Sequence, residues 1–258
     1  MVLSSDDNFA MGGVKSPQDI LDFWFDGQFG NDAVMDDMNF IRSILPLWFG
    51  IELTPKGPKP ISQDIVVEND KKCCSFKETL NALTRNELEG PEWKTEQGLF
   101  AKIILADQLA RNIFRGRPQA FSFAHFAHTA LWKLVELAAH ERYKSLPPFI
   151  FMTTVLQHSE NLEDHKACQT FFETMNANVK CPLKKMVMTQ SADHQEVIER
   201  FGRYPHRNIL LGRENTPEEA AWLAAVDKLP SWAKSQMPAK ENPLENGNDN
   251  TASVTSPN

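Results

Sequence analysis

Asp107, Gln108, Arg111, Asn112 and Arg115 are, with Lys102, the only polar residues of the stretch Leu99–Gly116 (LFAKIILADQLARNIFRG). Asp107, Arg111 and Arg115 recur every fourth residue with Gln108 and Asn112 alongside, so an α-helix would put all five on one flank. Two further segments are as rich in reactive types. LQHSENLEDH (156–165) supplies His158, Glu160 and Asp164, and HQEVIERFGRYPHRNILLGRENTPEEAAWL (194–223) supplies His194, Arg200, Arg203, His206, Arg207, Asn208 and Arg213. The forks of Arg111, Arg115, Arg203 and Arg207 suit a carboxylate or a phosphate. His158, His194 and His206 titrate near neutrality and suit general acid–base work. Asp107 or Glu160 would hold an imidazole in one tautomer, or act as a base if desolvated. The candidate catalytic residues are therefore His158, Glu160, Asp107 and His206. The candidate substrate-binding residues are Gln108, Arg111, Asn112, Arg115, His194, Arg203, Arg207 and Asn208.

Other chemistries find less support. His158, Glu160, Asp164, His165 and His194 are possible metal ligands, but HSE lacks the HExxH or Glu-x-x-His spacing and the many arginines would repel a cation. No metal and no organic cofactor are expected. There is no glycine-rich phosphate loop and no serine in a nucleophile elbow, and Cys168 and Cys181 have no flanking base. His125 and His128 read as helix-packing residues, and His140 and His165 as exposed.

The elements that must position these groups read as helices. Ser16-Pro17-Gln18-Asp19 is a helix start, with serine as N-cap, proline in the first turn and an acid where the helix dipole favours one. Asn31–Gly50 reads as a second helix that Pro46 kinks or divides, and Ile51–Pro60, with three prolines, reads as a loop. Ser62–Cys74 is open between helix and strand. Helices follow over Phe76–Gly90, the central stretch, Gln119–Leu146, Phe149–Leu156, Asn161–Met175 and Lys184–Gly202, with Pro147-Pro148 read as a break. Thr216-Pro217-Glu218-Glu219 is a capping box that starts the last helix.

The sum is an all-α fold, a single domain of eight to ten stacked antiparallel helices over 16–235. A flexible lead-in (1–15) and a disordered, strongly polar tail (236–258) are expected to flank it. No fixed-period repeat is present. The net charge of −7 disfavours nucleic acid as a partner. The opening MVLSSDDNFAMGG lacks the apolar segment of a signal peptide, and no window approaches the ~20 apolar residues of a membrane span. With four cysteines in no metal-binding spacing, free thiols and a cytoplasmic setting are expected, with no membrane partner.

Taken together, DFWF (22–25), DQ-x-x-RN (107–112), HSE (158–160) and RFGRYPHRN…LGR (200–213) resemble the bacterial and fungal family called domain of unknown function 924. The resemblance runs over roughly 17–224. It implies an all-helical fold related to tetratricopeptide superhelices without their regular repeat, and it imports no reaction. Two functions compete. The first is a small-molecule enzyme or ligand-binding protein whose anionic compound, a carboxylate or phosphate, is clamped by arginines and worked on by acid–base chemistry. The second is a helical-repeat-like interaction scaffold in which the same polar residues form a structural network.

Overall fold

The computed structural model describes residues 13–175, 179, 181 and 183–234. The expectations for the lead-in and the tail fall largely or wholly outside these residues. The chain is all-helical apart from one small ribbon. Its first helix, α1 (Pro17–Phe25), starts at the expected N-cap, and the start is a full capping box: Asp19 N donates to Ser16 Oγ (3.2 Å), and Ser16 N donates to Asp19 Oδ2 (2.8 Å). It buries Ile20, Leu21, Trp24 and Phe25.

The expected second helix is two, α2 (Asp32–Met35) and α3 (Met38–Phe49). The division falls at Asp37, not at Pro46, because Asp37 accepts from Asn39 N (2.8 Å) and Phe40 N (3.2 Å) and caps α3. Pro46 lies in the last turn of α3. The expected loop 51–60 is an antiparallel ribbon, β1 (Ile51–Thr54) against β2 (Gly57–Pro60). Pro58 and Pro60 are two residues apart, and Ile61 N donates to Gly50 O (2.9 Å), so the missing N–H groups fall on the side turned away from β1. The ambiguous segment is a helix, α4 (Gln63–Cys73); its β-branched run leaves Ile65 and Val67 exposed. After α5 (Lys77–Thr84) comes the central rod: α6 (Glu96–Ile103), a π turn (Ile104–Leu109) and α7 (Ala110–Ile113). Every residue from Gly98 to Ala110 is buried. Gly98 is required there, since a Cβ would lie 2.1 Å from Glu92 O.

α8 (Ala124–Glu136) and α9 (Leu146–Gln157) pack on this rod, α10 (Leu162–Met175) and α11 (Lys184–Phe201) pack on α9, and α12 (Pro217–Ala224) and α13 (Ser231–Lys234) follow, α12 against residues 205–207. Pro147 and Pro148 do not break the chain but sit in the first turn of α9, where an N–H has no helical partner to lose. The main core is aromatic at its centre. Phe25 meets Trp48 (5.6 Å between ring centroids), Phe100 (6.1 Å) and Phe151 (5.6 Å), mostly edge-on or tilted. A smaller cluster of Val197, Ile198 and Tyr204 is formed within the 194–223 segment. Among the described residues no helix is long and apolar enough to cross a membrane.

Candidate functional site

Asp107 sits inside the π turn, where Ala110 N donates to Leu105 O five residues back. The extra residue in that turn changes which neighbours the polar flank meets. Asp107 and Arg111 face His158, at the C-terminal end of α9. Asn112 and Arg115 instead face α4: Arg115 pairs with Asp70 (2.7 and 3.0 Å), and Asn112 Nδ2 donates to Cys73 Sγ (3.4 Å). The five polar residues of the rod therefore serve two places.

Both carboxylate oxygens of Asp107 lie within reach of His158 Nδ1, at 2.8 and 2.9 Å. Gln108 Nε2 donates to Asp107 Oδ2, and Arg111 lies at 3.3 and 3.4 Å from Oδ1. Burial by itself would raise the Asp107 carboxyl, but the imidazole and the Arg111 guanidinium outweigh it and hold the group far below the carboxylate range. Burial and Arg111 together push the His158 imidazole down to about 4, against the pull of Asp107. At neutral pH His158 is then neutral beside a carboxylate. That fixes the proton on Nδ1, donating to Asp107, and leaves the lone pair on Nε2. No hydrogen bond to Nε2 occurs among the described residues.

Arg207 comes from a single 3-10 turn, Pro205–Arg207, and is 5% exposed. Its Nη1 donates to His158 O (2.9 Å), capping the negative end of α9. Its guanidinium carbon lies over Tyr204 (4.3 Å to the ring centroid) and Phe121 (5.0 Å), and Arg111 covers the same Phe121 ring at 5.4 Å. None of the ion pairs among the described residues includes Arg207. Arg207 Nε and Arg111 Nη1 are buried without a hydrogen-bond partner. Burial and Arg111 lower the Arg207 guanidinium to about 9, so it keeps its charge near neutrality. Asp107 is bonded to Arg111 alone of the two guanidiniums, and Glu160, which acts on Arg207 only at longer range, is paired with Arg213; the cluster therefore carries one uncompensated positive charge.

The remaining candidates close on one another. Glu160 accepts from Tyr204 N (2.9 Å) and from Arg213 (2.7 and 3.0 Å). Burial would raise its carboxyl, but these bonds lower it on balance. Arg203 makes a two-bonded pair with Glu219 (2.6 and 2.8 Å). Glu219 also accepts from Thr216 N (2.8 Å), completing the expected capping box, and the Arg203 bonds lead in lowering it to about 2. Asn208 Nδ2 donates to Asn215 Oδ1 (2.8 Å) and lies 3.3 Å from Glu219.

A match to the model of one protein family, described as a bacterial protein of unknown function (DUF924), covers residues 20–227. The chain belongs to this family. The DUF924 chain is also similar to the solved structure of a protein of unknown function, ATU0120 from Agrobacterium tumefaciens. The two share 25% identity with a TM-score of 0.57, over 81% of this chain and 97% of that one. No curated protein matches the sequence.

His194 and His206 stand one layer behind the Asp107–His158 pair. His194 stacks on Trp232 (3.8 Å), its Nδ1 bonds Gln190 O (2.7 Å), and burial pushes its imidazole down to about 3. His206 lies against Tyr204 (5.3 Å) and Trp232 (5.4 Å). His165 corrects an expectation: it is 1% exposed, bonded to Ser159 O (3.0 Å), and burial lowers it. Tyr204, Phe121 and Trp232 were not among the candidates. Tyr204, fully buried with its hydroxyl donating to Gln157 O, is the ring around which this DUF924 chain gathers its signature histidines. Only its position inside RFGRYPHRN hinted at that role. Among the described residues no group of three or more His, Cys, Asp or Glu could hold a metal. The two cavities described lie elsewhere: an apolar one between α3, α9 and α11, and a polar cleft beside Thr95, Glu96 and Tyr143.

Proposed function

We propose that this protein binds a small anionic compound, a carboxylate or a phosphate, between Arg111 and Arg207 and carries out acid–base chemistry on it with the Asp107–His158 pair. Arg207 is the observation that carries the reading. A guanidinium removed from water and given no carboxylate costs free energy unless an anion completes it. In this reading His158 Nε2 takes or returns the proton, Asp107 holds the tautomer, and Gln108 fixes Asp107. Proton transfer, hydrolysis and elimination are the reactions open to such a site without an organic cofactor. Phe121, half-buried under both guanidiniums, must move aside to admit the compound. Glu160, Arg203 and Asn208 take the part of a frame, and His194 and His206 that of its wall.

A ligand at a hundred times its Kd adds about 2.7 kcal/mol to stability. Millimolar inorganic phosphate or acetate should therefore raise the Tm of the wild type, and Arg207→Gln should abolish the rise. No rise with any small anion would overturn the reading. A second reading, a tetratricopeptide-like scaffold that docks a peptide, is favoured by one observation: neither cavity described is lined by Asp107, His158, Arg111 or Arg207. It predicts that Ala at Arg111, His158 and Arg207 lowers Tm strongly in all three cases and changes no anion response.

A further inference from the structure

We propose that the anion is a tetrahedral dianion, a phosphoryl group held by Arg111, Arg207 and a protonated His158 together. This rests on the anion-binding reading above and narrows it. With His158 neutral the cluster is Asp107 minus, Arg111 plus and Arg207 plus, one positive charge in all, since the nearby Glu160 is neutralised by Arg213. A planar monoanion would balance it and leave the imidazole unchanged. A dianion overbalances it by one, and a single proton on His158 Nε2 restores neutrality.

Three donors stand unpartnered there. Arg111 Nη1 and Arg207 Nε are buried without partners, and His158 Nε2 has none among the described residues. The three come from three separate elements: α7, the 205–207 turn and the end of α9. Two guanidiniums over one ring, Arg111 bonded to Asp107 and Arg207 to His158 O, with the His158 imidazole on that same Asp107, suit an acceptor whose oxygens point several ways. A carboxylate offers its lone pairs in one plane, whereas a phosphoryl group offers three oxygens around an axis.

Charged and aromatic groups surround the imidazole. Asp107 and Arg111 face it from the rod, Arg207 and Tyr204 from the 204–207 segment, and His194 acts on it from α11. The two guanidiniums oppose its protonation, and Asp107 favours it. An incoming dianion cancels the opposition and leaves Asp107 in place, so binding must draw a proton from solvent.

Sulfate is the probe, being tetrahedral and a dianion throughout the neutral range, so that any proton taken up belongs to the protein. Titration calorimetry of the full chain near neutral pH, in two buffers of different ionisation enthalpy, reads the proton directly. The expected result is uptake of about one proton per sulfate, with affinity falling up to about tenfold per pH unit on the alkaline side. Acetate should bind more weakly and without uptake. Sulfate binding with no proton taken up, or acetate binding as tightly, would overturn the dianion while leaving the anion-binding reading intact. Failure of both anions to bind would overturn both. Competition against sulfate separates the sources: stronger displacement by phenyl phosphate points to an ester, and stronger displacement by inorganic phosphate points to the free ion. Displacement by neither would overturn the phosphoryl assignment.

Discussion

Two polar clusters built from the same signature segments lie side by side, and they are assembled on opposite principles. In one, Glu160 with Arg213 and Arg203 with Glu219 match each guanidinium to a carboxylate and turn leftover oxygens onto backbone N–H groups. In the other, Arg111 shares Asp107 with His158, and Arg207 is in ion-pair contact with no carboxylate among the described residues. The first ties the 200–219 segment to the end of α9. The second keeps an imidazole neutral and a positive field in place. An abundance of arginine is thus no mark of a ligand site by itself; the mark is arginine that the fold leaves uncompensated.

That contrast is open to attack at three points. Glu160→Ala should have the largest effect, because it strands Arg213 and frees the N–H of Tyr204; we expect a loss of about 3 kcal/mol in urea unfolding with no loss of anion response. A loss under about 1 kcal/mol would show that the matched cluster is not the frame. Acidification comes next. The folded His158 imidazole lies at about 4 against an ordinary 6.5, so it binds fewer protons folded than unfolded. Its contribution is whole above the unfolded value and erodes as pH falls from about 6.5 towards 4, amounting to about 2 kcal/mol near pH 5. His194, lowered to about 3, acts in the same direction. Stability measured across that range should fall, and His158→Asn should flatten the fall; a flat wild-type profile would contradict a neutral buried pair. The smallest effect is expected of Arg207→Gln. It discards a hydrogen bond to His158 O and an unmatched charge at once, so its stability should stay within about 1 kcal/mol of the wild type. A drop as large as that of Glu160→Ala would erase the distinction between the clusters.

Much of this was legible from residue types. Both helix starts, at Ser16 and Thr216, are local devices and stand where their residue types put them. The grouping of 105–116, 156–165 and 194–223 came from the family resemblance, and Asp107, His158 and Arg207 of those segments do meet. What escaped was non-local. The Ile65-Val66-Val67 run is helical with Ile65 and Val67 exposed, its helix held instead near its far end, where Cys73 is buried and Asp70 pairs with Arg115. The pairing partner of 51–54 is set by a turn among prolines. Phe121 and Tyr204 look like ordinary core aromatics until the guanidiniums are seen resting on them. The roles within the candidate set could not be read from spacing either, because Glu160 beside His158 in sequence turns away to Arg213.

The π turn at 104–109 lets one rigid rod address two unrelated neighbours, the imidazole through Asp107 and Arg111 and the α4 helix through Asn112 and Arg115. A uniform spiral would tie those two azimuths to a single phase. The surplus residue works as a fixed twist in a drive shaft: shortening the segment by one would swing everything beyond Leu109 through about 100°. Either Asp70 or His158 would then lose its partner, and no side-chain substitution could restore both.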